Sequence, residues 1–217
     1  MKAYLRSLKQ MYYKQKKIDD LQRQIRKSSS NLRVVVGSGG YFEPGWIPTD
    51  IDTLNLLQHS DWDRFFKPAS INAILAEHVW EHLNLEEGKN AIRYCFKYLR
   101  PGGYLRIAVP DGFHPDVEYI EAVKVGGSGP GSDTHKILYN YKLLQNILIE
   151  AGFKVQWLEY FDEEGCFHYS EWDPNMGKIY RSKRFDERNL DGKLTYTSLT
   201  PLQKVCDKTH PNCTLLS

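Results

Sequence analysis

Short apolar runs alternate along this chain with segments whose apolar residues recur at helical spacing, and this alternation constrains the fold more than any other feature. The runs L-R-V-V-V (32–36) and I-N-A-I-L-A (71–76) have the length and apolar content of buried strands. Segments 86–99 and 136–151 carry apolar residues every three or four positions, as amphipathic helices do. Strands that alternate with helices form parallel βαβ units, so we predict an α/β fold with a doubly wound, Rossmann-like, mostly parallel sheet flanked by helices.

Further segments complete the predicted sheet. W-I-P-T-D (46–50) is expected to be a short edge strand, because proline cannot donate a hydrogen bond to a central ladder. Y-L-R-I-A-V (104–109) follows a P-G-G turn and F-K-V-Q-W-L-E-Y (153–160) follows a predicted helix, so both are read as strands. The aromatic and charged segment 169–186 is expected to supply an antiparallel C-terminal edge strand and part of a substrate wall.

Composition divides the chain into four parts and limits its partners. Residues 1–27 are predicted to form a basic amphipathic helix, 28–31 a hinge, 32–200 one α/β domain and 201–217 a C-terminal tail. The 29 Lys plus Arg and 27 Asp plus Glu give no broad positive field, so no nucleic-acid partner is expected. No apolar run is long enough to span a membrane and no signal-peptide core is present, which predicts a cytoplasmic protein. The basic helix is suited to peripheral contact with an anionic surface, and the oligomeric state is not indicated.

Glycine and polar residues follow the predicted strands at their carboxyl ends. In an open α/β sheet, ligands bind beyond those ends, so these residues are expected to converge on one site. Glycines let the backbone approach a ligand closely, and an acidic residue at the end of the second strand can accept both hydroxyls of a ribose. The segments that follow the strands are G-S-G-G (37–40), D-I-D (50–52), E-H (77–78) and P-D-G-F-H (110–114).

The stretch H-V-W-E-H (78–82) matches the H-x-x-E-H signature of a class of zinc peptidases. That chemistry requires a helix that places His78 and His82 one turn apart on the same face. The apolar run 71–76 leads directly into Glu77 and His78, so His78 is predicted to lie at a strand end and not on a helix. We therefore expect no metal site from this motif.

The ordered set of motifs across residues 32–111 resembles the class I S-adenosylmethionine-dependent methyltransferases, in a small type-11-like form with a divergent glycine motif. V-V-V-G-S-G-G resembles the family's first motif, and T-D-I-D resembles its acidic second-strand end. I-N-A-I-L-A-E-H-V-W-E-H-L is similar to the fourth strand and the start of the next helix. F-K-Y-L-R-P-G-G-Y-L-R-I-A-V-P-D is similar to the helix, turn and fifth strand that follow.

The resemblance implies S-adenosylmethionine as cofactor and a small polar acceptor, such as a sugar or metabolite hydroxyl, as substrate. In the implied cofactor site, Asp50 takes the ribose hydroxyls, and Asp61 with Trp62 lies beside the adenine, although that pair also suits a helix cap with a core aromatic. A base is expected among three residues because imidazoles and carboxylates can accept an acceptor's proton: His78, Asp111 and His114. The implied cofactor-binding residues are Gly37, Ser38, Gly39, Asp50, Ile51, Asp61, Trp62, Ala76 and Glu77.

Three departures from the family pattern keep other functions open. Val35 stands where the family has an acidic residue, and Tyr41 stands in place of a third glycine. Asp50 follows Gly37 by only 13 positions, so the first helix must be short or replaced by a loop at 41–45. These departures favour a catalytically inactive binding module of the same fold as the first alternative. A nicotinamide-dependent oxidoreductase is the lesser alternative, because its fingerprint needs a third glycine in a helix for which there is no room.

Overall fold

The computed structural model describes residues 2–28, 30–170, 173–179 and 212–216, and a parallel sheet forms its centre. The strands of this sheet are β1 (Arg33–Val36), β2 (Ile47–Pro48), β3 (Ile71–Glu77), β4 (Leu99–Ala108), β5 (Lys154–Trp157) and β8 (Asn212–Leu216). They lie in the order β2-β1-β3-β4-β8-β5, and every neighbouring pair is parallel. The predicted α/β class with a Rossmann-like, mostly parallel sheet is confirmed.

Five α-helices accompany these strands in the described residues: α1 (Lys2–Lys27), α2 (His59–Phe65), α3 (Leu85–Tyr98), α4 (Val117–Val123) and α5 (Tyr141–Glu150). Helix α3 begins with a capping box, in which the Asn84 side chain accepts from the Glu87 N–H and the Glu87 carboxylate accepts from the Asn84 N–H. Helix α5 starts five residues later than predicted, because Asn140 caps it by accepting from the Leu143 N–H at 2.9 Å.

In the part of the chain that the structure describes, antiparallel pairing is confined to a separate two-stranded sheet of β6 (Glu159–Phe161) and β7 (Phe167–Tyr169). The Asp162 carboxylate accepts from the N–H groups of Glu164 and Cys166 and so closes the turn between these strands. The described antiparallel pair therefore lies outside the main sheet. Residues 171–172 and 180–186 of the segment predicted to supply an antiparallel edge strand lie outside the described residues.

Strand β8 lies in the stretch assigned from the sequence to a C-terminal tail. It pairs in parallel with β4 on one side and β5 on the other. Parallel partners need a long crossover between them, so the strand order joins segments that are far apart in the sequence.

Successive side chains along a strand point to opposite faces of the sheet, so the core is divided between the two faces. Val34 and Val36 enter the larger buried cluster with residues of α1, α2, α3 and α5. Val35 enters a smaller cluster that includes Trp46 and Ile179. Helix α1 joins the larger cluster through Ile18 and Leu21, while most of its basic residues are exposed. Within the described ranges, no helix is long and apolar enough to cross a membrane.

The strand order reverses between β1 and β3. From β1 the chain moves to β2 on one side, whereas β3 lies on the other side of β1 and is followed by β4 still further out. In open α/β sheets, the crevice beyond the carboxyl ends of the strands at such a reversal is where ligands bind. Gly37 follows β1 and His78 follows β3, so these two turns border the crevice.

Candidate functional site

The turn after β1 is hydrogen-bonded to Asp50, which lies two residues after β2. The Ser38 hydroxyl donates to Asp50 Oδ2 at 2.9 Å, and the Gly39 N–H donates to Asp50 Oδ1 at 2.9 Å. The Ser38 N–H also donates to the Thr49 carbonyl at 2.9 Å. A carboxylate has about four acceptor positions, so Asp50 keeps capacity for ligand hydroxyls while its orientation is fixed. Ser38 is buried and supports Asp50.

The glycines of this turn adopt backbone conformations that other residues avoid. Gly37, Gly39 and Gly40 have φ values of +60°, +55° and +88°. A Cβ atom on Gly37 would lie 2.5 Å from Val79 Cγ2, so the turn after β1 touches the turn after β3. A Cβ atom on Gly40 would meet nothing within 4 Å. The crevice is therefore tightly packed at Gly37 and open beside the backbone at Gly40.

Asp61 and Trp62 are used within the fold. Asp61 Oδ2 accepts from the Asn55 N–H at 3.0 Å, at the start of α2. Trp62 is fully buried, and its indole N–H donates to the Leu56 carbonyl at 3.1 Å. Its ring stacks on Tyr98 with centroids 5.1 Å apart. A ring enclosed in this way has no face for an adenine, so the placement of Trp62 beside the cofactor is corrected in favour of the core alternative.

His78 occupies the turn after β3 in a left-handed conformation, with φ of +53°. Its N–H donates to the Ala108 carbonyl at 2.9 Å, and its Nδ1 lies 2.9 Å from Glu81 Oε1. The His78 side chain is 30% exposed, whereas that of Glu81 is 1% exposed. Burial opposes ionisation of Glu81, but the hydrogen bond and charge of His78 outweigh it and hold the pKa of Glu81 below its usual value.

The H-x-x-E-H motif does not form one helical turn. His78 lies outside any helix, and a three-residue 3₁₀ turn, Trp80–His82, follows it. The expectation that the two histidines would not share a helix face is confirmed. The arrangement of His78 with Glu81 instead resembles a base oriented by a carboxylate, because a neutral ring that donates from Nδ1 keeps a lone pair on Nε2.

Asp111 and His114, two of the three predicted bases, are buried in the loop after β4. Asp111 Oδ1 accepts from the Phe113 N–H at 2.9 Å, and its Oδ2 accepts from the Phe161 N–H at 2.7 Å. Burial raises the pKa of Asp111 to about 6. The Asp116 N–H donates to Nδ1 of His114, and burial lowers the pKa of that imidazole. Both groups tie the loop after β4 to its surroundings.

Ala76 and Glu77 end β3 as buried residues next to a set of charges that the sequence did not identify. Arg106 on β4 is fully buried and donates to the Gly177 carbonyl. Burial lowers the pKa of Arg106 to about 10, against the opposing charges of Glu159 and Glu77. Burial also raises the pKa of Glu159 to about 8. In the sequence, Arg106 and Glu159 were visible as charged residues inside predicted strands. Their proximity depends on the tertiary fold and could not be predicted.

A second group of side chains that the motifs missed includes Glu81. Glu81, His82 and His135 each offer one possible metal ligand, and the three ligand atoms lie within 4.8 Å of one another. His135 follows the glycine-rich segment 125–133. That segment contains internal hydrogen bonds, including Gly126 N–H to the Ser132 carbonyl at 3.2 Å.

Comparisons with known proteins give likeness in fold only. No protein-family model and no curated protein matches this sequence. A SAM-dependent methyltransferase of Thermotoga maritima, described as a possible histamine N-methyltransferase, is 14% identical with a TM-score of 0.44, over 78% of this chain and 91% of that one. A SAM-dependent methyltransferase of Archaeoglobus fulgidus is 15% identical with a TM-score of 0.41, over 82% of this chain and 86% of that one. At such identities and scores, function has to be argued from the site itself.

Proposed function

We propose that this chain transfers the methyl group of S-adenosylmethionine to a small polar acceptor, such as a sugar or metabolite hydroxyl. The observation that carries the proposal is the Asp50 carboxylate, which Ser38 and Gly39 hold at the point where the strand order reverses. A fixed carboxylate next to an open glycine turn is suited to the paired hydroxyls of a ribose. Several cofactors contain a ribose, and the sequence motifs that resemble the methyltransferases are the reason for choosing S-adenosylmethionine among them.

The residues present fit the nucleoside part of this cofactor better than its amino-acid part. Asp50 retains acceptor capacity, and Gly40 leaves open space beside the backbone. Ile51, the next residue after Asp50, is 79% exposed and offers an apolar surface to a ring. Val35 is buried in the smaller core cluster, so the family's acidic position supplies no partner for the cofactor's amino group.

His78 is the candidate base for an acceptor that must lose a proton. The cofactor supplies an electrophilic methyl group, so the chain has to align the acceptor, exclude water and remove a proton where the acceptor is a hydroxyl. Of the three predicted bases, His78 is the one whose side chain is partly exposed, and it lies at the crevice. Glu81 accepts from Nδ1 and stabilises the imidazolium that forms when Nε2 takes the proton.

Calorimetric titration with S-adenosylmethionine and with its demethylated product tests the cofactor site. Asp50→Ala should weaken binding at least tenfold, because it removes the acceptor for the ribose hydroxyls. Asp52→Asn is the matched control, since Asp52 lies two residues away and pairs with Lys17 at the surface. Equal cofactor affinity in wild type and Asp50→Ala, or no heat at millimolar cofactor, would refute the proposal.

The inactive binding module is the second candidate, favoured by Val35 and by Tyr41 in place of the third glycine. Single-turnover assays with hydroxyl acceptors, read by mass spectrometry, separate the two functions. His78→Gln should keep cofactor affinity and lower the rate of methyl transfer by about 100-fold, within the usual range for loss of a general base. Cofactor binding without transfer to any member of a broad panel of hydroxyl acceptors would favour the binding module.

A further inference from the structure

Glu81, His82 and His135 are brought together by two segments that are distant in the sequence. Glu81 and His82 lie in the 3₁₀ turn after β3, and His135 follows a second 3₁₀ turn at Ser132–Thr134. The Lys136 N–H donates to the Glu81 carbonyl at 2.7 Å, which joins the two segments beside the cluster. The rings of His82 and His135 meet edge to face with centroids 4.9 Å apart.

Hydrogen bonds around the two imidazoles determine which ring nitrogen carries the proton. His135 Nδ1 lies 2.7 Å from the Val123 carbonyl, which can only accept, so Nδ1 carries the hydrogen. Thr134 Oγ1 donates its hydrogen to the Gly131 carbonyl at 2.8 Å. It therefore accepts from His82 Nδ1, 2.9 Å away. Each neutral ring thus keeps a lone pair on Nε2, and the oxygen at Nδ1 orients the ring as metal-binding histidines require.

Glu81 contributes a buried oxygen to the same cluster. Its Oε1 is engaged by His78, while Oε2 has no hydrogen-bond partner among the described residues. Its side chain is 1% exposed, so solvent does not compensate this oxygen. A buried acceptor without a partner costs about 1–3 kcal/mol, and more when it is charged. A cation at this position would satisfy Oε2.

We propose that Glu81, His82 and His135 bind a divalent transition-metal ion, Zn²⁺ foremost, through Glu81 Oε2 and the Nε2 atoms of both histidines. Two imidazoles and one carboxylate are a donor set that zinc accepts, with a fourth position left for water or another oxygen. Metal–ligand bonds of about 2.0–2.2 Å place the ligand atoms of a tetrahedral site roughly 3.5 Å apart. The ligand atoms lie within 4.8 Å of one another, so the three side chains would move closer together on binding.

The ion fastens the segment that carries His135 to the turn after β3, next to His78. His78 belongs to the H-x-x-E-H motif but is not one of the three grouped residues, and its Nδ1 is hydrogen-bonded to Glu81 Oε1. The expectation of no metal, which considered His78 and His82 on a helix, did not include His135. This proposal stands apart from methyl transfer, since its test requires no cofactor and no acceptor.

The test uses full-length protein without a histidine tag, stripped of metal with a chelator and titrated with Zn²⁺ by calorimetry and with Co²⁺ by visible absorption. We expect one ion per chain and the intense visible bands of four-coordinate Co²⁺. His82→Gln and His135→Gln should each weaken Zn²⁺ binding by about 100-fold or more. Thr134→Val should weaken it about tenfold, because it removes the oxygen that orients His82.

His59→Gln is the matched control, since His59 is an exposed histidine on α2 that contacts Lys97 and Asp63. Circular dichroism of each variant establishes that it is folded. Glu81 is not substituted, because the change would also remove the partner of His78. The proposal is overturned if folded wild-type protein binds no stoichiometric ion, or if His135→Gln binds Zn²⁺ as tightly as His59→Gln does.

Discussion

Gly37→Ala should destabilise the chain strongly, although it adds a single methyl group. Gly37 has φ of +60°, and the new Cβ would lie 2.5 Å from Val79 Cγ2. A left-handed backbone costs a residue with a Cβ about 1–2 kcal/mol, and overpacking costs about 1–3 kcal/mol. The free energy of unfolding should therefore fall by roughly 2–5 kcal/mol, a large part of the about 5–15 kcal/mol typical of folded proteins.

Two further variants separate the two costs. Gly40→Ala has the same kind of backbone, with φ of +88°, but its Cβ meets nothing within 4 Å, so only the cost of about 1–2 kcal/mol applies. Val79→Ala removes the methyl group that Gly37→Ala would strike. In that background Gly37→Ala should cost about 1–3 kcal/mol less, and this difference is the coupling energy of a double-mutant cycle.

Urea unfolding followed by circular dichroism measures all five proteins: wild type, the three single variants and the Gly37→Ala/Val79→Ala double variant. We expect Gly37→Ala to be less stable than Gly40→Ala. We also expect the double variant to be more stable than the sum of the two single losses would make it. Equal losses for the two glycine variants, together with no coupling to Val79, would mean that the turns after β1 and β3 are not in contact. The crevice between those turns would then have to be reconsidered.

Three other changes test the roles assigned to single side chains. Burial raises the pKa of Asp111 from 3.8 to about 6. Its contribution to stability is therefore present below pH 3.8 and lost as the pH rises through 6. Asp111→Asn should reduce the corresponding fall in the urea midpoint, measured from pH 4 to pH 7. Trp62→Phe should lower the free energy of unfolding by about 1–3 kcal/mol and leave cofactor affinity in calorimetry unchanged, because Trp62 is a core residue. Weaker cofactor binding by a fully folded variant would contradict this. Asn84→Ala should lower the free energy of unfolding by about 1 kcal/mol, because the α3 cap is lost. Asn90→Ala is the control, since Asn90 is exposed and caps no helix. An equal loss of stability in the two variants would argue against the capping box.

Elements defined by local patterns were predictable from the sequence. The strand predicted at 32–36 is β1 with one residue fewer, and that predicted at 71–76 is β3 with one residue more. Continuous apolar runs bounded by turn residues specify such strands without reference to the rest of the chain. The position of Asp50 near the reversal of strand order was predictable for the same reason, since it follows the short strand β2 by two residues.

Features set by distant contacts were not predictable. Sequence position placed Asp111 and His114 at the correct edge of the sheet, but whether their side chains face solvent depends on β6, which covers Asp111 through the Phe161 N–H. The proximity of Arg106 to Glu159 likewise depends on how β4 and the segment after β5 pack. Propensity and periodicity carry no information on such pairings, because they describe neighbours along the chain only.

The histidines around Glu81 show how a motif and a fold can disagree about the same residues. The motif pairs His78 with His82, whereas the structure pairs His82 with His135 and uses His78 to hold Glu81 Oε1. These readings make opposite predictions for Zn²⁺ affinity in calorimetry. If the motif were correct, His78→Gln would abolish binding and His135→Gln would not. We expect the reverse, because the Gln amide at position 78 can still donate to Glu81, whereas position 135 would lose a ligand nitrogen.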